Sequence, residues 1–270
     1  MAVHASAIVE DGAWLGAGVE IGPFCVVGRH AVLGEGVRLI SHVVVSGNTR
    51  IGDRTIVHPH AVLGGEGQIR TDAFPQAKLL IGNDCVVREA VTMNCGSRIG
   101  GGVTKVGNNG YFMAYSHIGH DCHVADDVTF ANSATLAGHV EIGQGVILGG
   151  LVAVQQHGRV GKGAMIGGVT GVNRDVIPYG MAFGDHVELA GLNLIGLKRR
   201  GLDRESIHAV RGAHRAIFLE TAGSLEDRAR AALARWPNVV QVKEIVEFIL
   251  AEHKQPICLT RQRGVSVDKF

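Results

Sequence analysis

An aliphatic residue recurs at every sixth position through most of this chain, and no other feature limits its fold so tightly. From Val9 the series runs through Leu15, Ile21, Val27, Leu33, Leu39, Val45, Ile51, Val57 and Leu63, then resumes at Ile81, Val87, Met93 and Ile99. After a one-residue slip it restarts at Val106 and continues through Phe112, Ile118, Val124, Phe130, Leu136, Ile142, Leu148, Val154, Val160, Ile166 and Val172. A period of six fits neither the 3.6-residue helix nor the two-residue strand. It fits a coil of short strands that each turn one aliphatic side chain inward, three hexapeptides to a turn. Residues 18 apart then stack at the strand spacing of about 4.8 Å. Glycine follows many of these positions (Gly16, Gly22, Gly28, Gly34, Gly52, Gly64), which predicts corners with unusual dihedrals. The expected fold class is mainly β, a parallel β-helix of hexapeptide repeats, with an ordinary β-sandwich as the alternative.

Two stretches leave the pattern. Gly65 to Lys78 carries Glu66, Arg70, Asp72 and Pro75, and Ser97 to Lys105 contains Gly100-Gly101-Gly102 and causes the slip. Long loops on a rigid scaffold often carry function, so both are candidate substrate-contacting excursions. The repeat ends near Val176-Ile177-Pro178-Tyr179, and the pattern then turns helical. Asp203 caps a helix with Ile207, Val210, His214 and Ile217 on one face. Ser224 and Asp227 form a capping box before a second helix ending near Trp236. A third runs from about Val239 to His253, with Val242, Ile245, Val246 and Ile249 inward. The expected division is therefore a coil over residues 1–187 and a helical domain over 188–270 that covers the coil's open end.

A net charge of +1 on 270 residues gives no global pull toward nucleic acid. The five cysteines (Cys25, Cys85, Cys95, Cys122, Cys258) are odd in number and lack CxxC spacing, which favours a reduced compartment over a disulfide scaffold or cysteine zinc site. Met1-Ala2-Val3-His4 shows no basic region leading into an apolar run, so no signal peptide is expected. No apolar stretch approaches the roughly 20 residues of a membrane span. Cytoplasmic localisation is the expectation.

The chemistry concentrates in Tyr115-Ser116-His117-Ile118-Gly119-His120-Asp121-Cys122-His123. A step of 18 leads from His120 to Gly138 and Gln156, and from Asp121 to His139 and His157. Acyl transfer to a hydroxyl needs a base within hydrogen-bond reach, and His120 suits that role. Asp121 can orient the ring, and the unobstructed Gly138 N–H can donate to a developing oxyanion. Zinc is the rival use. His117 and His123 are six apart and so fall on different faces, where with His120 they do not converge within one chain. A zinc site shared between subunits, as in hexapeptide carbonic anhydrases, stays open.

The segments His117-Ile-Gly-His120-Asp121-Cys122, Asn132-Ser-Ala-Thr-Leu-Ala-Gly138-His139-Val and Gly196-Leu-Lys-Arg199-Arg200-Gly resemble the UDP-N-acetylglucosamine acyltransferase family. Ile21-Gly-Pro-Phe-Cys-Val-Val-Gly28 and Ser41-His-Val-Val-Val45 match it too. The resemblance implies a left-handed coil. It also implies transfer of a 3-hydroxyacyl group from acyl carrier protein to the sugar 3-hydroxyl, the first step of lipid A synthesis, with no cofactor. A homotrimer with active sites between neighbouring subunits is implied as well.

By position, the resemblance makes His120 the general base and Gly138 the oxyanion donor. It places Gln68, His117, Asp121, His139 and Gln156 around the substrate. Asn193, Arg199 and Arg200 would hold the nucleotide, where guanidinium geometry suits phosphate. Gly168 would be the acyl-length ruler and His186 the boundary of the chain tail, which implies a long acyl chain. Lys198, Arg199, Arg200, Arg204, Arg211 and Arg215 form a basic cluster suited to an acidic carrier protein.

Three departures stand out. Gln68-Ile69-Arg70-Thr71-Asp72 keeps only the glutamine of the family's Gln-Asp-x-Lys-Tyr loop. Gln155 replaces a common histidine, and Ile195 a common acidic residue. The alternatives are acylation of an amine on a related UDP-amino sugar, a trimeric zinc-dependent hydratase, and a non-catalytic scaffold.

Overall fold

A computed structural model, which describes residues 2–70 and 74–260, shows mostly two-residue strands at the hexapeptide period. Successive strands visit an 11-stranded, a 9-stranded and an 8-stranded sheet in turn, so the chain winds a three-sided prism. Ile8 pairs with Val26, Val26 with Val44 and Thr129 with Ile147, all parallel and all 18 apart. The step grows to 30 across the first excursion, where Ile56 pairs with Val86, and to 25 across the second, where Val86 pairs with Tyr111. Thr71 and Asp72, singled out in the first excursion, lie outside the described residues.

The aliphatic series forms the core. From Ile21 to Leu63, at Ile81, Val87 and Met93, and from Val106 to Val172, its members are buried. Each contributes about 1.5–3 kcal/mol by leaving water. Val9 and Leu15, in the first coil, are half-buried, and Ile99 alone is exposed, at 77%, on a 3-10 turn at Arg98–Gly100. The second excursion has already broken the hexapeptide phase there, so its six-residue spacing from Met93 carries no inward direction.

Of the glycines that follow the series, Gly64 has the unusual dihedral its pattern suggested (φ 87°), whereas Gly16, Gly22, Gly28, Gly34 and Gly52 do not. Gly22 has an ordinary φ, but a Cβ there would be driven into the Ile40 carbonyl of the next coil. Close approach between coils, rather than dihedral freedom, demands glycine at that position. The left-handed corner positions are instead largely filled by side chains, among them Asp121 (φ 58°), His139 (φ 60°) and His157 (φ 63°). Such residues cost about 1–2 kcal/mol each, offset by a repeated backbone bond to the carbonyl 19 positions back. His139 N–H donates to His120 O at 2.9 Å, and Leu151 N–H to Asn132 O at 3.0 Å.

Beyond the coil, Glu188–Leu192 runs antiparallel to the last long strand, Gly180–Phe183. Among the described residues four helices follow: α1 (Leu194–Arg199), α2 (Arg204–Phe218), α3 (Leu225–Arg235) and α4 (Val240–Leu250). Asp203 accepts from Ser206 N–H at 2.7 Å at the start of α2, and the Ser224–Asp227 capping box opens α3. Val242, Ile245, Val246 and Ile249 of α4 are buried as the pattern required. This last helix stops at Leu250, short of His253, because the chain must turn back to the coil. Cys258 N–H reaches Asp175 O at 2.8 Å, and Leu189 N–H reaches Leu259 O at 3.0 Å. The coil's end is thus closed by backbone pairing as well as by helices. On its flank, Arg159 bonds Asp175 at 2.7 Å and lies 4.3 Å from the Phe248 ring centroid of α4. Among the described residues, no helix is long and apolar enough to cross a membrane.

Candidate active site

The corner between the nine- and eight-stranded sheets holds the histidine column. His120 precedes the left-handed Asp121, and its side chain folds over the next coil, where Gly138 stands. A Cβ on Gly138 would overlap Cε1 and Nε2 of the imidazole, so glycine is the residue that lets the ring lie there. His120 Nδ1 is 2.8 Å from Asp121 Oδ2, and both residues are buried. The ring of His139 stands edge-on to that of His120 at 4.9 Å, and His157 stacks on His139 at 4.5 Å.

Asp121 is held from several sides. Its carboxylate accepts Ser97 N–H at 2.9 and 3.0 Å and the Ser97 hydroxyl, while its own N–H donates to Thr104 Oγ1 at 2.8 Å. Burial works to raise its pKa, but the bonds from Ser97 and His120 prevail and keep the carboxyl below the ordinary range. An ionised Asp121 requires that His120 carry its proton on Nδ1, leaving Nε2 as an acceptor. Burial dominates at His117, and at His139 and His157 too, lowering all three and favouring neutral rings.

Other positions fall into place unevenly. Gly67 packs on His120, where a Cβ would lie 3.2 Å from that of the histidine, which brings the neighbouring, exposed Gln68 to the site's rim. His117 Nδ1 lies 2.7 Å from Thr92 Oγ1 on the nine-stranded sheet, whereas His123 belongs to the eight-stranded one. Gln156 follows Gly138 in the stack and is exposed, its carbonyl accepting from Gln255 Nε2 at 3.0 Å. A groove of about 390 Å³ runs along the nine-stranded sheet, lined by Thr135, Ala153, Gly171, Gln155 and the exposed His186. Gly168 sits exposed at the sheet's opposite corner.

Asn193 is buried and its amide makes two local bonds. Oδ1 caps α1 by accepting Gly196 N–H at 2.9 Å, and Nδ2 donates to Gly163 O at 3.0 Å. Arg199 and Ile195 are exposed on α1. Arg200 donates to Gly145 O at 2.9 Å, on the corner between the eight- and eleven-stranded sheets. Within one chain the basic pair and His120 therefore occupy different edges of the prism.

His120, Asp121 and His139 offer three ligand atoms within 4.8 Å of one another. The Asp121 oxygens already accept from Ser97 and His120, so the contacts support ring orientation for this carboxylate. Ser97 and Thr104 were missed as supporting residues in the sequence. Thr104 was within reach of the 18-residue step, since its neighbour Lys105 pairs with His123. Ser97 was not, because it meets Asp121 across an irregular insertion.

A hexapeptide coil with a carboxylate-backed histidine set against a glycine at its edge defines a hexapeptide-repeat transferase. The family description "Bacterial transferase hexapeptide (six repeats)" matches residues 6–41 and 30–65, and "Udp N-acetylglucosamine O-acyltransferase; Domain 2" matches 175–258. An acyl-[acyl-carrier-protein]--UDP-N-acetylglucosamine O-acyltransferase of Rhizobium johnstonii is 47% identical over 93% of this chain and 92% of its own. A solved UDP-N-acetylglucosamine acyltransferase superposes with a TM-score of 0.93 at 35% identity, over 97% of this chain and 100% of that one. The Campylobacter jejuni enzyme of that name gives 0.90 at 34% identity, over 96% and 100%. The chain belongs to the UDP-N-acetylglucosamine O-acyltransferase family, and its coil is the left-handed parallel β-helix.

Proposed function

We propose that this chain transfers a (3R)-3-hydroxyacyl group from acyl carrier protein to the 3-hydroxyl of UDP-N-acetylglucosamine, the first step of lipid A biosynthesis. The observation that carries the mechanism is the 2.8 Å bond from His120 Nδ1 to Asp121, with the ring held over Gly138. His120 Nε2 takes the proton of the sugar hydroxyl as its oxygen attacks the thioester carbonyl. Asp121 accepts the Nδ1–H hydrogen bond throughout and stabilises the imidazolium. Gly138 N–H donates to the oxyanion. As the C–S bond breaks, the imidazolium returns the proton to the departing thiolate. The one proton this scheme moves comes from the acceptor hydroxyl and leaves on the carrier thiol, with His120 as the relay, and no cofactor enters it.

A homotrimer completes the site. The basic pair Arg199 and Arg200 lies on a different edge from His120, so a second copy is the source of nucleotide contacts. Support also comes from the corner between the eleven- and nine-stranded sheets, where Phe24, Tyr115, Leu151 and Val169 are 59–69% exposed. These exposed apolar side chains share one edge with His42, His60, Ala90 and Ser133, and such an edge suits burial between copies. Gln68, His117, His139 and Gln156 line the sugar's surroundings, while Gly168 and His186 bound the acyl groove. Asn193 acts by fixing α1, which carries the arginines. The exposed basic cluster from Lys198 to Arg215 attracts acidic carrier protein. The functional division is a coil at 1–187 that does the chemistry and a segment at 188–270 that presents these cations. The reaction belongs in the cytoplasm, where carrier-linked donors are made.

An acceptor and donor panel tests this reading. UDP-N-acetylglucosamine should be acylated with a long 3-hydroxyacyl donor (roughly twelve carbons or more) in preference to a short one. Gly168→Met should shift preference toward shorter chains, with its Cβ crowding Gly150 O at 3.1 Å. Preferential acylation of a 3-amino analogue would overturn the acceptor assignment.

A further inference from the structure

The second excursion interrupts the coil beside the histidine column, yet its buried part faces a carboxylate rather than open space. Ser97 is 2% exposed, and its N–H and hydroxyl both donate to the Asp121 carboxylate. Three residues further on, Gly100 packs so closely that any Cβ would overlap the Asp121 carboxyl group. Thr104, at the excursion's far end, takes the Asp121 N–H. The insertion thus wraps this one side chain. None of these three residues touches the His120 ring in the contacts described above.

We propose that Ser97 is a positioning residue for acyl transfer, aiming the Asp121 carboxylate so that His120 presents Nε2 to the acceptor hydroxyl. This rests on the assignment of His120 as base. The hydroxyl of Ser97 acts at two points. It fixes the rotation of the carboxylate, and with it the 2.8 Å bond that sets the imidazole plane. It also draws off part of the carboxylate charge that would otherwise fall on His120. Among the described residues, the other titratable groups coupled to this carboxylate are His139, whose Nε2 is 4.0 Å from Oδ2, and the buried Cys122 thiol; His157 and Lys254 act behind His139. Removing the hydroxyl leaves more negative charge against the Nδ1 proton, stabilises the imidazolium, and moves the acid limb of the rate profile to higher pH.

The test is a series, Ser97→Thr, Ser97→Cys and Ser97→Ala, assayed for kcat, KM and the pH dependence of kcat. Threonine keeps both donors and should match the wild type. Alanine should lower kcat by about ten- to a hundredfold, the effect of one hydrogen bond to a charged group. KM should hold and the acid limb should rise, with cysteine intermediate. If the alanine variant does not fold, the cysteine variant carries the same comparison at nearly native volume. A wild-type kcat and unmoved acid limb in the folded alanine or cysteine variant would overturn the proposal. So would a threonine variant as impaired as alanine. His120→Ala, run alongside, separates the two claims: loss there with an indifferent Ser97 rejects only the role of Ser97.

Discussion

Gly138 does its work by what it lacks. The imidazole of His120 lies in the volume a side chain would occupy, so Gly138→Ala must push the ring away from Asp121 or shift the coil. We expect that variant to keep its β-helix by circular dichroism yet lose at least about 10² in turnover, since both base and oxyanion donor move. Wild-type turnover would show that the ring does not depend on this contact. The pairings of His120 with Gly138, and of Asp121 with His139 and His157, were legible in the sequence because a coil without insertions turns spacing into position. The link from Ser97 to Asp121 was not legible, because an insertion destroys that arithmetic. Asn193 shows the same limit: resemblance pointed it to the nucleotide, and the structure adds a local role for its amide that spacing did not give, in the cap of α1 and on the Gly163 carbonyl.

At the scale of elements, the hexapeptide period predicted nearly every buried strand residue, and it misled only at Ile99, where the chain had left the coil. Corner glycine was read as a dihedral signal. The structure assigns Gly22 to close packing and gives the left-handed corners to residues such as His139, a distinction that appears only when coils are stacked. The helices followed their caps and apolar faces, and one of them carries an acid-sensitive group. His214 of α2 is buried against Phe218, and burial lowers its pKa from 6.5 to about 4. Above pH 6.5 the histidine is neutral in both the folded and unfolded chain and favours neither. As pH falls from 6.5 toward 4, only the unfolded chain gains the proton, so folded stability declines, by roughly 3 kcal/mol at the lower limit. His214→Leu should therefore lose less melting temperature than the wild type between pH 7.5 and about 4.5. Equal losses would remove His214 from the acid response.

Across the whole molecule, the prism sorts function by edge. One edge holds His120 and Asp121, the proposed base and its carboxylate, a second carries exposed apolar residues, and the third receives Arg200. The sequence disclosed His120, Asp121 and Arg200 but neither the exposed apolar edge nor the distance of Arg200 from His120, because the period marks inward positions and the chain beyond the coil carries no period to place Arg200. In the proposed trimer that separation makes assembly part of the mechanism, with the nucleotide held from one copy while the hydroxyl is deprotonated by another. All of this rests on His120 acting as the base. The most direct measurement is the turnover of His120→Ala beside wild type, following transfer from 3-hydroxyacyl carrier protein to UDP-N-acetylglucosamine. The account predicts a folded protein whose turnover falls by roughly 10²–10⁴, the range for loss of a general base. Turnover close to wild type would contradict it.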